Sequence, residues 1–330
     1  MRVGYTIFIL FLSFSLLGFL NVCNAHRLRY NFYKETCPQA NWIVKQIITN
    51  ETRTNLALGA HLIRMQFHDC FVRGCDGSVL LDTVNNGSKV EKDAIPNRSL
   101  KGFDVIDDIK NAIEKVCPNV VSCADILALA ARDAVSAPFK RRLWNVALGR
   151  RDGRISLASE TNGNIPSPFA DFTSLLETFN NKTLDVNDLQ IIEPGAHTIG
   201  VAHCGTFSRR LYNFTGKGDA DPTLDPTYAD ILRKQCPSPA NPNTIVEMDP
   251  GSSRSFDKHY YHILRQNKGL FISDAALLTN KESESIVIRL QRSRGLFFAA
   301  FARSMRKMAA IDVLTGNDGE IRRNCRVVNP

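Results

Sequence analysis

Arg64-Met65-Gln66-Phe67-His68-Asp69-Cys70-Phe71-Val72-Arg73-Gly74-Cys75-Asp76-Gly77-Ser78 opens as a helix and ends in a tight, oxygen-rich loop. Arg64 and His68 are four residues apart, so on a helix they stand on one face. Cys70 and Cys75 are spaced to close a short loop. Asp69, Asp76 and Ser78 supply oxygen ligands suited to a hard cation such as Ca²⁺. A lone helix histidine would read as an inert, hydrogen-bonded side chain. Here Arg64, one turn back, depresses the histidine pKa and keeps the ring neutral, as a general base requires. The same guanidinium can stabilise an oxyanion. Asn97 follows an Ile95-Pro96 turn further along.

Around this stretch the chain reads as an exported protein. Arg2, the apolar run Ile7 to Leu20 and the small-residue site Cys23-Asn24-Ala25 predict a signal peptide over residues 1–25, with the mature chain starting near His26. The rival reading, a membrane anchor, suffers from a run that is short for a span. Past it, no stretch could cross a bilayer. The net charge is +8, or +7 once Arg2 leaves with the leader. A basic exported protein suits polyanions such as acidic cell-wall polysaccharide. Nucleic acid is excluded as a partner, since no basic block is interleaved with aromatics. Cys37, Cys70, Cys75, Cys117, Cys123, Cys204, Cys236 and Cys325 remain after the leader. An even count in a secreted chain predicts disulfides, and proximity favours only Cys70 with Cys75 among about 105 possible pairings. Sequons start at Asn50, Asn86, Asn97, Asn181 and Asn213. Residues 26–330 suit one large domain or two packed lobes.

The periodicity predicts a mainly α-helical fold with small β elements only. Helices are expected over Asn55–Asp69, from Phe103 to Val116, over Ala124–Ala134 with Ser122 as N-cap, and around Leu175–Phe179, Tyr228–Leu232 and Phe298–Met308. Trp144–Gly153 reads as irregular or briefly extended.

His197 is the second histidine of interest. It lies in Pro194-Gly195-Ala196-His197-Thr198-Ile199-Gly200, whose small residues would admit a large planar ligand; the plainer reading is a helix-end cap. A ligating histidine needs a partner on its other nitrogen, and Asp257 and Asp274 both qualify. Asp249, Ser252, Ser255 and Asp257 form a second oxygen-rich set, which alone reads as a solvated turn. His203, His259 and His262 read as ordinary surface or packing residues. No EF-hand, H-E-x-x-H, P-loop or G-x-S-x-G motif is present.

Arg64–Ser78, Pro194–Cys204, Val121–Asp125, Gly149–Asp152 and Asn324-Cys325 together resemble the secretory plant (class III) haem peroxidases, over nearly all of the mature chain. The resemblance implies a two-lobed helical fold with one haem b between the lobes, two Ca²⁺ ions and a monomer. It implies disulfides Cys37–Cys117, Cys70–Cys75, Cys123–Cys325 and Cys204–Cys236. His197 is implied as iron ligand with Asp274 as its acceptor. Arg64, His68 and Asn97 are implied as the distal catalytic group, Glu91 as the link towards the distal Ca²⁺, and Pro166 as a residue lining donor access. The distal Ca²⁺ ligands would be Asp69, Val72, Gly74, Asp76 and Ser78, and the proximal ones Thr198, Asp249, Ser252, Ser255 and Asp257. Hydrogen peroxide and phenolic donors are the implied substrates, and the extracellular space or cell wall the location. A buried Asn97 would make its sequon accidental.

Two stretches depart from the family pattern. The family usually reads Asp-Leu-Val-x-Leu-Ser-Gly-Ala-His, whereas Asp188-Leu189-Gln190-Ile191-Ile192-Glu193-Pro194-Gly195-Ala196-His197 is one residue longer. Pro194 lacks a donor and disfavours helix at Glu193, so the helix is expected to end early or bulge. Pro138-Phe139-Lys140-Arg141-Arg142 replaces glycines with positive charge. The rivals are a Ca²⁺-dependent wall-binding protein that keeps a peroxidase-like shell and, less well supported by the histidine spacing, a zinc hydrolase.

Overall fold

The computed structural model describes residues 28–83, 88–239, 241 and 243–330. The expected signal peptide and the Asn86 sequon lie outside them. In chain order the helices are α1 (Ala40–Thr54), α2 (Leu58–Val72), α3 (Phe103–Glu114), α4 (Cys123–Ser136), α5 (Phe172–Asn180), α6 (Val186–His197), α7 (Cys204–Tyr212), α8 (Pro226–Gln235), α9 (His259–Arg265), α10 (Ile272–Ala276), α11 (Lys281–Arg292) and α12 (Arg294–Met308). The strands β1 (Val201–His203) and β2 (Ile245–Glu247) pair antiparallel, with Ala202 opposite Val246. The expected class, mainly helical with small β elements, is what is observed.

One group of helices is built on α4, buried along its whole length. Its alanines let α1, α2 and α3 pack closely around it. The Ser122 hydroxyl caps it, accepting from the Asp125 N–H at 3.2 Å. Asp125 is buried in an ion pair with Arg150 at 2.6 Å and also accepts from the Tyr33 hydroxyl at 2.8 Å. These bonds offset the cost of burying the pair. In the second group, α9, α11 and α12 pack on α6. The two groups meet where α2 touches α6.

Helix α2 begins and ends three residues later than expected. Asn55 accepts from the Ala57 N–H at 3.2 Å, a local turn that competes with helix at 55–57. Helix α1 escaped the periodicity reading. Its buried Ala40, Ile43, Val44 and Ile48 form a core stripe, but Trp42, 63% exposed, blurs it. Helix α6 corrects another expectation, since it runs through Pro194 to His197 without ending early. The carbonyl that Pro194 cannot serve belongs to Gln190, and the buried Tyr261 hydroxyl donates to it at 3.0 Å. Gly195 also has a different reason to be small. A Cβ there would lie 2.9 Å from the Phe301 ring, so it serves the packing of α6 on α12.

All four disulfides have the expected pairing. The C-terminal segment returns over the loop that follows α2. Ile311 O accepts from Cys75 N–H at 3.1 Å, and Arg322 N–H donates to Asp152 at 2.9 Å.

Candidate active site and cation sites

His68 and Arg64 occupy one face of α2, as their spacing requires. The Asn97 amide donates to Glu91 O at 2.8 Å, which leaves its Oδ1 as the acceptor for His68 Nδ1–H at 2.5 Å. That fixes the tautomer, so His68 Nε2 carries the free lone pair. Burial, then the Arg64 charge, pushes the His68 pKa down to about 3. The ring is therefore neutral at ordinary pH. Arg64 donates to Pro96 O at 2.7 Å and to Ser99 Oγ at 3.1 Å. Burial lowers it to about 10, still a cation at neutral pH.

His197 ends α6 and donates from Nδ1 to Asp274 at 3.0 Å. Asp274, completely buried on α10, also accepts from the Phe271 N–H at 2.8 Å. Burial disfavours the Asp274 charge, but His197 and these donors hold its pKa below the usual carboxylate value. Burial likewise opposes the imidazolium, yet Asp274 raises His197 overall. The edges of Tyr260 and Phe271 pack at 5.6 Å from the imidazole. The His197 side chain keeps 23% exposure beside these rings. Helices α2 and α6, which carry His68 and His197, are in contact. Among the described residues neither His68 Nε2 on α2 nor His197 Nε2 on α6 has a hydrogen-bond partner, a chemistry that fits one histidine holding an iron cofactor and the other acting as a base. Pro166 sits in the turn before α5, and this turn is tied to the start of α10 by Ser273 N–H donating to Pro168 O at 3.1 Å.

Glu193, one turn before His197, was singled out only as part of the departing stretch. Its Oε2 is buried without a partner, and burial pushes its pKa up to about 7.

Around the loop after α2, Asp69 accepts from Gly77 N–H at 3.0 Å and Asp76 from Ser78 N–H at 2.9 Å. Ser78 Oγ and both Glu91 carboxyl oxygens are buried without a partner. Burial pushes Asp76 up to about 6 and Glu91 to about 9, the latter also through Asp69. Orphaned oxygens and crowded carboxylates are the chemistry a hard cation relieves. Val72 O already accepts from Lys182 Nζ at 3.2 Å. Gly74 adopts φ 91°, with its Cβ position blocked 2.5 Å from Asp312 O. In the second set Thr198 Oγ1 lies 3.3 Å from Asp249 Oδ2, 3.4 Å from Ser255 O and 3.5 Å from Asp257 Oδ1. One hydroxyl proton cannot serve three acceptors, so this set also fits a hard cation. Ser252 Oγ donates to Asp257 at 3.2 Å. His259, read as ordinary, bonds Asp249 at 2.6 Å and thus braces the cluster. Among the described residues no three His, Cys, Asp or Glu side chains gather into a metal cluster. Each set instead mixes two carboxylates with hydroxyls and carbonyls.

Asn97 is 1% exposed with both amide atoms bonded, so its sequon cannot carry a glycan in the folded chain.

A family profile described as Peroxidase matches residues 43–293. Peroxidase 24 of Arabidopsis thaliana is 54% identical over 308 residues, covering 92% of this chain and 87% of that protein. Peroxidase 39 of Arabidopsis thaliana is 52% identical, covering 92% of this chain and 93% of its own length. Peroxidase 1 of Oryza sativa subsp. japonica is 48% identical, covering 93% and 95%.

Proposed function

This chain belongs to the class III peroxidase family, and from that premise we propose that it reduces hydrogen peroxide to water while oxidising phenolic donors in one-electron steps. The observation that carries the proposal is the pair of oriented histidines on two helices in contact, His68 bonded to Asn97 and His197 to Asp274.

Haem b, when bound, supplies the redox chemistry. His197 would hold its iron, and Asp274 keeps Nε2 basic by accepting from Nδ1. His68 Nε2 takes a proton from one peroxide oxygen and returns it to the other, which leaves as water. Arg64 stabilises the negative charge on that departing oxygen. Two donor molecules each give up one electron and one proton and leave as radicals, and these two electrons and protons reduce the remaining peroxide oxygen to a second water. Pro166 lines their approach. Asp69, Val72, Gly74, Asp76 and Ser78, backed by Glu91, would hold one Ca²⁺, and Thr198, Asp249, Ser252, Ser255 and Asp257 the other. The same reading makes residues 26–330 one exported, monomeric domain in the extracellular space or wall. Four disulfides and exposed Asn50, Asn181 and Asn213 support it. Removal of H₂O₂, lignin and suberin synthesis, wall cross-linking, auxin catabolism and oxidative-stress response are the roles this chemistry serves.

Steady-state oxidation of a guaiacol-type donor by the haem-reconstituted protein tests the proposal. His68→Ala should keep the Soret band and lose about 10²–10⁴-fold in rate. The wild-type rate should hold as pH falls from 7 and drop only as His68 protonates towards pH 3. A wild-type holoprotein without turnover, or a His68→Ala variant with full turnover, would leave only the wall-binding shell.

A further inference from the structure

Arg73 caps the C-terminal end of α2, between Val72 and Gly74, whose carbonyls are assigned above to the first cation. Its guanidinium donates from Nε and Nη2 to the two carboxylate oxygens of Glu160, at 2.6 Å and 2.7 Å, across 87 residues of sequence. A two-bonded fork fixes orientation as well as distance. Glu160 belongs to the short turn Ala158–Thr161. Two bonds then tighten the chain that leads to Pro166. Asn164 Nδ2–H donates to Glu160 O at 2.9 Å, and Ile165 N–H to Thr161 O at 3.1 Å. Beyond Pro166, Pro168 O accepts from Ser273 N–H, next to the Asp274 that orients His197. The earlier part of the same segment lies along the loop after α2. Gly153 N–H donates to Asp76 O at 2.8 Å, Glu91 N–H to Ser156 Oγ at 3.0 Å and Ala158 N–H to Lys89 O at 2.9 Å. Residues 153–168 thus form a strap from one cation loop to the His197–Asp274 pair. Half-buried Pro166 sits between its two last anchors, the Arg73–Glu160 fork and the Ser273 bond.

We propose that Arg73 and Glu160 are positioning residues for donor binding, whose fork ties the Pro166 turn to the loop after α2, so that a cation on this loop sets the affinity for phenolic donors. The donor and the cation are those of the reading above, on which this inference rests. A cation held by the Val72 and Gly74 carbonyls fixes the backbone on both sides of Arg73. The guanidinium then has one direction, Glu160 follows it, and the turn presents Pro166 in one place. Without the cation, Asp69 and Asp76 face each other as like charges, the end of α2 loosens, and the fork passes that freedom to the turn. The fork itself does not touch the peroxide-cleaving pair. His68 is held by Asn97, and Arg64 by Pro96 O and Ser99.

The test measures guaiacol binding to the resting holoprotein, without peroxide, and amide hydrogen exchange over residues 158–168. Glu160→Gln and Arg73→Gln should each raise the guaiacol dissociation constant about fivefold and speed exchange in the turn. The double variant should bind no more weakly than either single, because one link is lost in all three. Arg73→Lys keeps the charge but not the fork and should fall between. The rate at which peroxide oxidises the resting holoprotein should stay within about twofold throughout. Glu177→Gln, the same charge change at an exposed position of α5, should leave guaiacol binding unchanged. Chelating Ca²⁺ should weaken guaiacol binding and speed exchange in wild type, and should add less than about twofold to Glu160→Gln. Additive losses in the double variant, or guaiacol binding and the peroxide rate falling together, would reduce the pair to general stability and overturn its assigned role. An equal effect of the chelator in wild type and Glu160→Gln would overturn the coupling to the cation. Binding and exchange are both read without turnover, so an inactive wild type would sink the peroxidase reading and leave this one to be decided by its own two measurements.

Discussion

Glu193 is the residue most at odds with its surroundings. It lies one turn from His197 and near Asp274 and Ser273, and its Oε2 is buried without a hydrogen-bond partner. Burial holds its proton to about pH 7, against an ordinary value of 4.5. Between those pH values the folded chain binds more protons at this site than the unfolded chain, so stability falls as pH rises through the window. In the haem-free protein, Glu193→Gln should therefore match wild type near pH 4 and exceed it by about 2–3 kcal/mol at pH 8. Thermal unfolding of both across that range would show parallel curves if Glu193 were instead compensated. The sequence marked this position only as a departure, because nothing local indicates that a carboxylate four residues before a histidine will be buried close to Asp274. His68 and Arg64 were more legible, because two such residues four apart share one helix face, and the Asn97 amide that orients His68 stands near a Pro turn. Asp274 could not be told from Asp257 by the residues and was assigned only through the resemblance. The brace from His259 to Asp249 was invisible, since it depends on a fold that brings α9 back to the loop ahead of it.

Among the elements, α6 shows how a local rule is overridden by tertiary contact. Proline inside a helix removes one donor and commonly breaks it. Here the stranded Gln190 carbonyl is served by Tyr261 from α9, and the helix continues. Sequence periodicity carries no information about a hydroxyl arriving from 71 residues away, which is why the expected break was not found. Tyr261→Phe should cost about 1–3 kcal/mol by leaving that buried carbonyl unpaired. In a Pro194→Ala background the residue-194 N–H returns and the cost should shrink, giving a coupling energy in a double-mutant cycle. Equal costs in both backgrounds, measured by denaturant unfolding, would refute the assigned role of the hydroxyl. The legible helices, α3, α4 and α12, are those with a clean apolar stripe or a capping serine. The boundaries of α2 were missed because an Asn55 turn and a disulfide loop, not the stripe, set its ends.

On the scale of the whole molecule, the C-terminal segment joins the distal loop to the rest of the chain. After α12 it accepts from Cys75 N–H, passes Asp152, and donates from Arg322 to the Gly77 carbonyl. Cys325 then closes on Cys123, 202 residues away in sequence, at the head of α4. The sequence implied this pairing through resemblance, but only the fold shows that the returning segment supports the loop carrying Asp69, Asp76 and Ser78. Breaking this bridge should therefore do more than loosen the unfolded chain. Cys123→Ser/Cys325→Ser should lose about 3–5 kcal/mol of stability and also weaken Ca²⁺ binding at the site proposed on that loop. Cys204→Ser/Cys236→Ser, which opens a loop of separation 32 between the start of α7 and the end of α8, should lose stability while leaving that site intact. Calorimetric Ca²⁺ titration of both variants, below their melting temperatures, separates the two effects. Equal Ca²⁺ affinities in the two would show that the loop is held by its own Cys70–Cys75 bridge, and that the C-terminal segment is only a covering.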